Sequence, residues 1–469
     1  MSMNKSASVQ PGKKELEWID TVPQRVKDVF LKAVKAHSSG DYDEAIALYS
    51  IGLNFLPDDH VLLGNMGVAL RSQSKFKAAE ACYRRSIASK PDNPGAWSNL
   101  GNVLRRLGRL KEAVACHRQA IELDRQFIDA YYNLGLVLQD IGKLDDAIKF
   151  FNHCLKFRPG DHRMNWDKSL ALLAKGDYLN GFELYEYRWK REELTPRHFR
   201  QPLWDGTPLN GKRIYVYAEQ GFGDTLNFCR YLPLVAGAGG KVVFECQPEL
   251  VSLIEGMDGI EEIVSGGDKL PEFEVQVPLI SLPRIFKHDL KSIPRETPYL
   301  KAPAQAGFPV HVPEGSEFKI GIVWAGKPTH RNDHNRSVSM ENFLSFAEIP
   351  GVTLYSLQKG PEVNQRERYG CGVLVRDLGS GCDDFADTAK VLEQLDLVVT
   401  VDTSVAHLAG ALNIPVWVVL PYNSDWRWMR KRKDSPWYPG MTLFRQKKPG
   451  DWDYVFRVML GELKKKLKS

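Results

Sequence analysis

The chain lacks several things that would have pointed elsewhere. Its seven cysteines include no Cys-x-x-Cys pair, so no zinc ribbon is visible, and an odd count fits free thiols in a reducing compartment better than a disulfide framework. No window approaches the roughly 20 apolar residues that a membrane span needs. The opening Met-Ser-Met-Asn-Lys-Ser-Ala has no apolar core for a signal peptide. Against 58 acidic side chains stand 63 basic ones, and the net +5 is too small to argue for a nucleic-acid groove. These absences predict a cytoplasmic protein with no transmembrane segment and no nucleic-acid partner. What remains is 469 residues, enough for roughly three domains of ordinary size.

The first half is periodic. Gly40, Ser74, Gly108, Gly142 and Gly176 stand 34 residues apart. Similar phrases follow: Asp-Tyr-Asp-Glu-Ala, Lys-Phe-Lys-Ala-Ala, Arg-Leu-Lys-Glu-Ala and Lys-Leu-Asp-Asp-Ala. Small Ala45, Ala79, Ala113 and Ala147 recur where two helices must approach closely, and Pro57, Pro91 and Pro159 recur where the second helix must stop. A fixed period of this length with paired helices resembles the tetratricopeptide family over about residues 25–190. The predicted layout is an N-terminal tail over 1–24, repeats with a capping helix over 25–195, and a breaker-rich linker over 196–211. Residues 177–195, aromatic and charged, read as a docking helix.

Asn65, Asn99 and Asn133 recur on the first helix of successive repeats, about 200° around from the apolar stripe at roughly 100° per residue, and are predicted to face solvent. An amide that donates and accepts can hold an extended peptide backbone whatever its side chains. The alternative is that Asn-Leu-Gly is ordinary repeat vocabulary. The ladder is similar to the one in the tetratricopeptide-bearing O-linked N-acetylglucosamine transferases, and that resemblance implies recruitment of a protein or peptide acceptor.

From Lys212 the pattern changes to strand, turn, helix. The runs 213–218, 241–246, 273–277, 319–324, 352–357, 397–401 and 416–420 are short and β-rich. With amphipathic helices between them they predict parallel sheets covered on both faces. A Pro/Gly/Ala-rich stretch near 303–315 divides the lobes, 212–310 and 316–450, and a C-terminal helix fills 451–469. Ligands in such sheets bind at the carboxyl ends of the strands.

Two motifs occupy such ends. In Glu219-Gln-Gly-Phe-Gly-Asp224 the third glycine of a dinucleotide fingerprint is replaced by Leu226, which disfavours that reading. Asp224 reads instead as a general base for an acceptor hydroxyl, with Gly221, Phe222 and Gly223 as the acceptor-site loop, or more simply as an N-cap. In Asp402-Thr-Ser-Val-Ala-His407, the NH groups of Thr403, Ser404 and Val405 open a helix and predict a diphosphate pocket. Asp402 would accept from sugar hydroxyls, His407 would reach the donor or pack under the helix, and an Asx-type turn is the plainer alternative. Lys327, Arg336, Gln358 and Lys359, at neighbouring strand ends, are candidate donor contacts. The aromatics of 425–429 and Trp437-Tyr438 could stack on a base or sugar, or pack the lobes. Asp451-Trp-Asp453 reads as an N-cap, and the basic turn Lys464-Lys-Lys-Leu-Lys468 allows at most a weak peripheral membrane contact.

Gly223-Asp224 and Asp402-Thr-Ser-Val-Ala-His-Leu-Ala409 resemble the motifs of the GT-B glycosyltransferases that include the bacterial heptosyltransferases, family 9, over about residues 212–465, with Ser404 in place of a glycine. The resemblance implies two Rossmann-like α/β lobes behind an α-helical TPR solenoid. It also implies a metal-independent inverting transfer from a nucleotide-sugar co-substrate, with no other cofactor. Two alternatives stay open: a transferase acting on lipopolysaccharide or another glycan with the repeats as scaffold, and a non-catalytic adaptor.

Overall fold

The computed structural model describes residues 17–330 and 332–468, and the chain divides into two compact units between Lys168 and Ser169. Residues 1–16 of the predicted tail, Arg331 and Ser469 lie outside the described residues.

The first unit is a stack of helical hairpins. Its helices are α1 (Gln24–Ser39), α2 (Tyr42–Phe55), α3 (His60–Ser72), α4 (Phe76–Ser89), α5 (Pro94–Arg106), α6 (Leu110–Leu123), α7 (Ile128–Ile141) and α8 (Leu144–Phe157). Starts are set by side-chain caps where the sequence offers one: Asp59 accepts from the NH groups of Val61 and Leu62, each at 2.9 Å, and Asn93 does the same for α5. The turn residues take left-handed backbone, φ 83° at Gly40, 75° at Gly108 and 84° at Gly142, while Ser74 adopts 60° without the freedom of glycine.

In the hairpins α3–α4, α5–α6 and α7–α8 a glycine makes room for a ring, and in α1–α2 the buried Ala33 and Tyr49 stand one period earlier. A Cβ on Gly67 would stand 2.8 Å from the Tyr83 ring, on Gly101 2.6 Å from His117, and on Gly135 2.8 Å from Phe151. Ala79, Ala113 and Ala147 are fully buried at the same seams. The 34-residue spacing is therefore a packing period. Burial pushes the His117 pKa down to about 3, so a neutral imidazole serves there as a core ring.

The helix His162–Lys175 (α9) carries the division, and α10 (Tyr178–Tyr185) continues into a 3-10 turn over Glu186–Lys190. The second unit holds two sheets whose strands all pair in parallel. One has order β3-β2-β1-β4, from β1 (Arg213–Tyr217), β2 (Lys241–Cys246), β3 (Ile260–Ser265) and β4 (Val275–Pro278). The other has order β10-β9-β8-β5-β6-β7, from β5 (Phe318–Val323), β6 (Val352–Ser356), β7 (Val375–Asp377), β8 (Leu397–Val401), β9 (Val416–Leu420) and β10 (Met441–Arg445).

Leu397-Val-Val-Thr-Val401 and Val416-Trp-Val-Val-Leu420 are buried at every position, as strands covered on both faces must be. Three helices matter to the site: α11 (Phe222–Phe228) after β1, α12 (Phe385–Leu392) before β8, and α13 (Ser404–Ala411) after β8. The last helix, α14 (Trp452–Lys466), lays Val455, Phe456, Met459 and Leu463 on the larger sheet, each such side chain contributing about 1.5–3 kcal/mol of burial. Asp451 caps it by accepting from Tyr454 N at 3.3 Å. The linker closes the free edge of β4, with Trp204 N donating to Gln276 O at 2.9 Å and Gln276 N to Pro202 O at 3.0 Å. No helix among the described residues is long and apolar enough to cross a membrane.

Candidate active site

The loops after β1 and β8 come together because α11 and α13 cross at a glycine. A Cβ on Gly223 would lie 2.9 Å from His407 Cδ2 and 3.7 Å from Ser404 Cα. Gly223 thus permits the crossing, and its neighbour Asp224 stands at the same site as residues 402–405. Phe222 packs on Phe385 of α12, ring centroids 5.0 Å apart. Gly221 has no positive φ and meets little beyond the Asp224 carboxylate, so its backbone freedom is not used here.

Asp224 does not cap α11. It lies in the first turn behind Gly221, and its Oδ1 accepts from Nη2 of Arg427, whose Nη1 donates to Asp425 Oδ1 at 2.9 Å. Arg427 connects the smaller sheet's loop to the larger sheet's last crossover. Burial opposes its charge, and Asp224 and Asp425 outweigh that, raising its pKa. Burial raises the Asp224 pKa although Arg427 pulls it down. Asp402 is pushed up to about 6, first by burial, then by the negative charge of Asp425, against the pull of Arg336 and Arg427. Three carboxylates and two guanidinium groups therefore share one electrostatic field.

The crossing is braced by an arginine that touches no carboxylate. Arg230 donates to the carbonyls of Asn227 at 2.7 Å, Pro294 at 2.9 Å and Trp437 at 2.7 Å, and to Tyr299 Oη at 2.8 Å. Beside it Tyr438 Oη donates to Asn227 Oδ1 at 2.9 Å, so in the 2.9 Å contact between His407 Nδ1 and Tyr438 Oη the imidazole Nδ1–H donates. Burial and the charges of Arg427 and Arg230 hold His407 well below its usual pKa, and it is neutral. Its ring stacks on Trp428 at 5.1 Å. It packs under the helix.

Thr403 is the N-cap of α13 with no side-chain cap bond, and among the described residues the NH groups of Thr403, Ser404 and Val405 donate to no protein acceptor. Ser404 opens the helix without a left-handed φ, so a serine serves at this position. Arg336 Nη1 donates to the Asp402 carbonyl at 2.9 Å and Nε to Asp333 Oδ1 at 3.2 Å. It shapes the turn that carries Asp402. Lys327 is exposed and makes no ion pair among the described residues, while Lys359 Nζ donates back to Cys382 O.

Three expectations change. Gln358 is buried, and its amide is consumed: Oε1 accepts from Trp324 N at 3.1 Å and Ala325 N at 2.9 Å, and Nε2 donates to Ala325 O at 3.0 Å and Lys359 O at 2.8 Å. It clamps two strand ends and offers nothing to a donor. Trp426, Trp428, Trp437 and Tyr438 are buried, and Tyr178 of α10 stacks on Trp437 at 5.5 Å while Phe182 meets Trp426 and Phe228. These aromatics pack the unit together. In the repeats, Asn65 is buried with Nδ2 donating to Val61 O at 3.1 Å, Asn99 accepts from Arg71 Nη1 at 3.4 Å, and Asn133 Nδ2 donates to Ser98 Oγ at 3.2 Å. Asn65 is buried and bonds within its own helix, while Asn99 and Asn133 are half-buried and bond to the neighbouring repeat, so the last two keep part of their surface open to solvent.

Sequence reasoning missed Arg427 and Asp425 as partners of the two motifs, because they sit in a stretch whose tryptophans dominate its appearance. Glu219 was quoted only as the start of a motif. Burial pushes its pKa up to about 7 against the pull of Arg188.

Profiles described as TPR repeat match residues 67–108 and 101–142, and one described as tetratricopeptide repeat matches 128–161. The chain carries tetratricopeptide repeats. It is also similar to Protein FlbA of Caulobacter vibrioides, 23% identical over 331 residues, covering 62% of this chain and 53% of the relative. The chain spans about half the length of that relative. Among solved structures, a MamA protein is 24% identical with a TM-score of 0.32, covering 36% of this chain and 92% of that one. YrrB, described as a TPR protein with an unusual peptide-binding site, is 18% identical with a TM-score of 0.31, covering 38% and 92%.

Proposed function

We propose that the second unit is a GT-B-type inverting glycosyltransferase that moves a sugar from a nucleotide-sugar donor to an acceptor hydroxyl without a metal, while the repeats hold a protein or peptide partner. The observation that carries this reading is the shared site: Asp224 after β1 of one sheet, and the unbonded NH groups of Thr403–Val405 after β8 of the other, brought together where Gly223 meets His407 and Ser404. In this reading Asp224 takes the acceptor's proton, and the burial that raises its pKa strengthens it as a base. The diphosphate rests on the α13 N-terminus with Asp402 against the sugar. Exposed Lys327 and the Arg427 guanidinium supply positive charge as the leaving group departs. Arg336 acts through the turn it holds.

A second reading makes the acceptor a glycan and the repeats a scaffold for a partner protein. The internal bonding of Asn65, Asn99 and Asn133 favours it, since Asn65 is buried and the other two amides are partly engaged within the stack. Thermal-shift screening against nucleotides and nucleotide sugars tests the donor site, because ligand binding to the native state raises its melting point. Absence of any shift across the panel would leave the repeats as the working part of a non-catalytic adaptor.

A further inference from the structure

We propose that the cavity on the β1–α11 loop is a binding site for a neutral, hydroxyl-rich group of sugar-like chemistry, with Glu219 as its polar anchor. The cavity, about 410 Å³, lies at the carboxyl ends of β1 and β2 under the 189–197 segment, and its walls include Trp189, Arg197, Tyr217, Glu219, Glu245 and Gln247. That volume is in the range of small-molecule sites.

Glu219 is built into this wall and left incomplete. Its side chain is 4% exposed, and Oε1 accepts from Arg188 Nη2 at 3.0 Å and Ile280 N at 3.2 Å. Its Oε2 is buried with no partner. A buried oxygen left unbonded costs about 1–3 kcal/mol, so the native chain keeps a penalty that an occupant's hydroxyl would remove.

The charge around it selects the occupant. Arg197, the guanidinium on the cavity wall, is bound through both Nη atoms to Glu245, with Nη1 to Oε2 at 2.7 Å, so its charge is already neutralised by a carboxylate and attracts a phosphate less. With its pKa near 7, Glu219 exchanges between donor and acceptor around neutrality, which suits a hydroxyl and suits an anion poorly. Arg188 covers Trp189 at 4.7 Å and Arg197 covers Tyr217 at 4.8 Å, and the rest of both rings gives apolar wall to the C–H faces of a pyranose. Asp224, on the same loop, is near enough to raise the Glu219 pKa. That this group would be the acceptor of the transfer rests on the transferase reading; the binding itself does not.

The test uses the full chain with no nucleotide present. Methyl glycosides of neutral hexoses and the matching hexose phosphates are titrated by saturation-transfer NMR and calorimetry. The expected result is millimolar binding of a neutral glycoside, about tenfold tighter than its phosphate. Glu219→Gln should weaken it about tenfold. Thr195→Trp, at an exposed rim position, should abolish it by filling the mouth. If Glu219→Gln fails to fold, Thr195→Trp alone decides. Absence of glycoside binding, tighter binding of the phosphates, or unchanged binding by Thr195→Trp overturns the proposal. Nucleotide titrations on the same protein report on α13 independently, so nucleotide binding without glycoside binding sinks this inference and leaves the transferase reading standing.

Discussion

Arg427 donates to Asp224 with Nη2 and to Asp425 with Nη1, joining carboxylates that belong to the two different sheets' loops. Arg427, Asp224 and Asp425 are 10%, 21% and 36% exposed, so the cluster is largely withdrawn from water and its central charge is the least accessible member.

The cluster should respond asymmetrically to its parts. Arg427→Gln leaves two carboxylates without their cation and is expected to lower stability by about 3 kcal/mol in urea denaturation. Asp224→Asn leaves Arg427 paired with Asp425 and should cost well under half of that. Equal losses would mean that the guanidinium does not hold the pair.

On the transferase reading, the same Asp224→Asn protein should bind nucleotide as the wild type does while its transfer rate falls at least about a hundredfold. Full transfer by a folded variant would remove Asp224 from the role of base.

Asp402 predicts a specific pH dependence. Its pKa is about 6 in the folded chain against an ordinary 3.8, so the folded state binds the proton more tightly. Its contribution to stability is complete below the ordinary value and is lost as pH rises through about 6. Asp402→Asn should therefore show its greatest advantage over the wild type above about pH 7, and none near pH 4, in paired thermal melts. A difference independent of pH would show that the carboxyl is not buried against Asp425.

In the repeats, Ser74 occupies left-handed backbone with φ 60° where the equivalent positions carry glycine. Ser74→Gly is expected to stabilise the chain by about 1 kcal/mol, read by urea denaturation. Gly101→Ala should do the opposite, by about 1–3 kcal/mol, because its Cβ would stand 2.6 Å from His117.

What the sequence revealed follows burial. β1, β2, β5, β6, β8 and β9 are legible to within a residue or so because they are apolar runs, and the bounds of β2, β8 and β9 match outright. β4, an edge strand, was placed two residues early, while β3, β7 and β10, the other outer strands, escaped. Ile260-Glu-Glu-Ile-Val-Ser265 has a half-exposed pattern, and β7 is three residues long. The helical wheel of one repeat placed the asparagines outward; Asn99 and Asn133 keep some exposure, but the neighbouring repeat, absent from the wheel, supplies Ser98 to Asn133 and Arg71 to Asn99. Arg427 and Asp224 are separated by 203 residues, and no local pattern marks one as the other's counterion.

The glycine recess of hairpins α3–α4, α5–α6 and α7–α8 has one further consequence. Gly67, Gly101 and Gly135 admit a phenol, an imidazole and a phenyl ring in turn. Rings that differ in both size and polarity thus occupy equivalent recesses, so what these three hairpins share is the missing Cβ and not the identity of the plug.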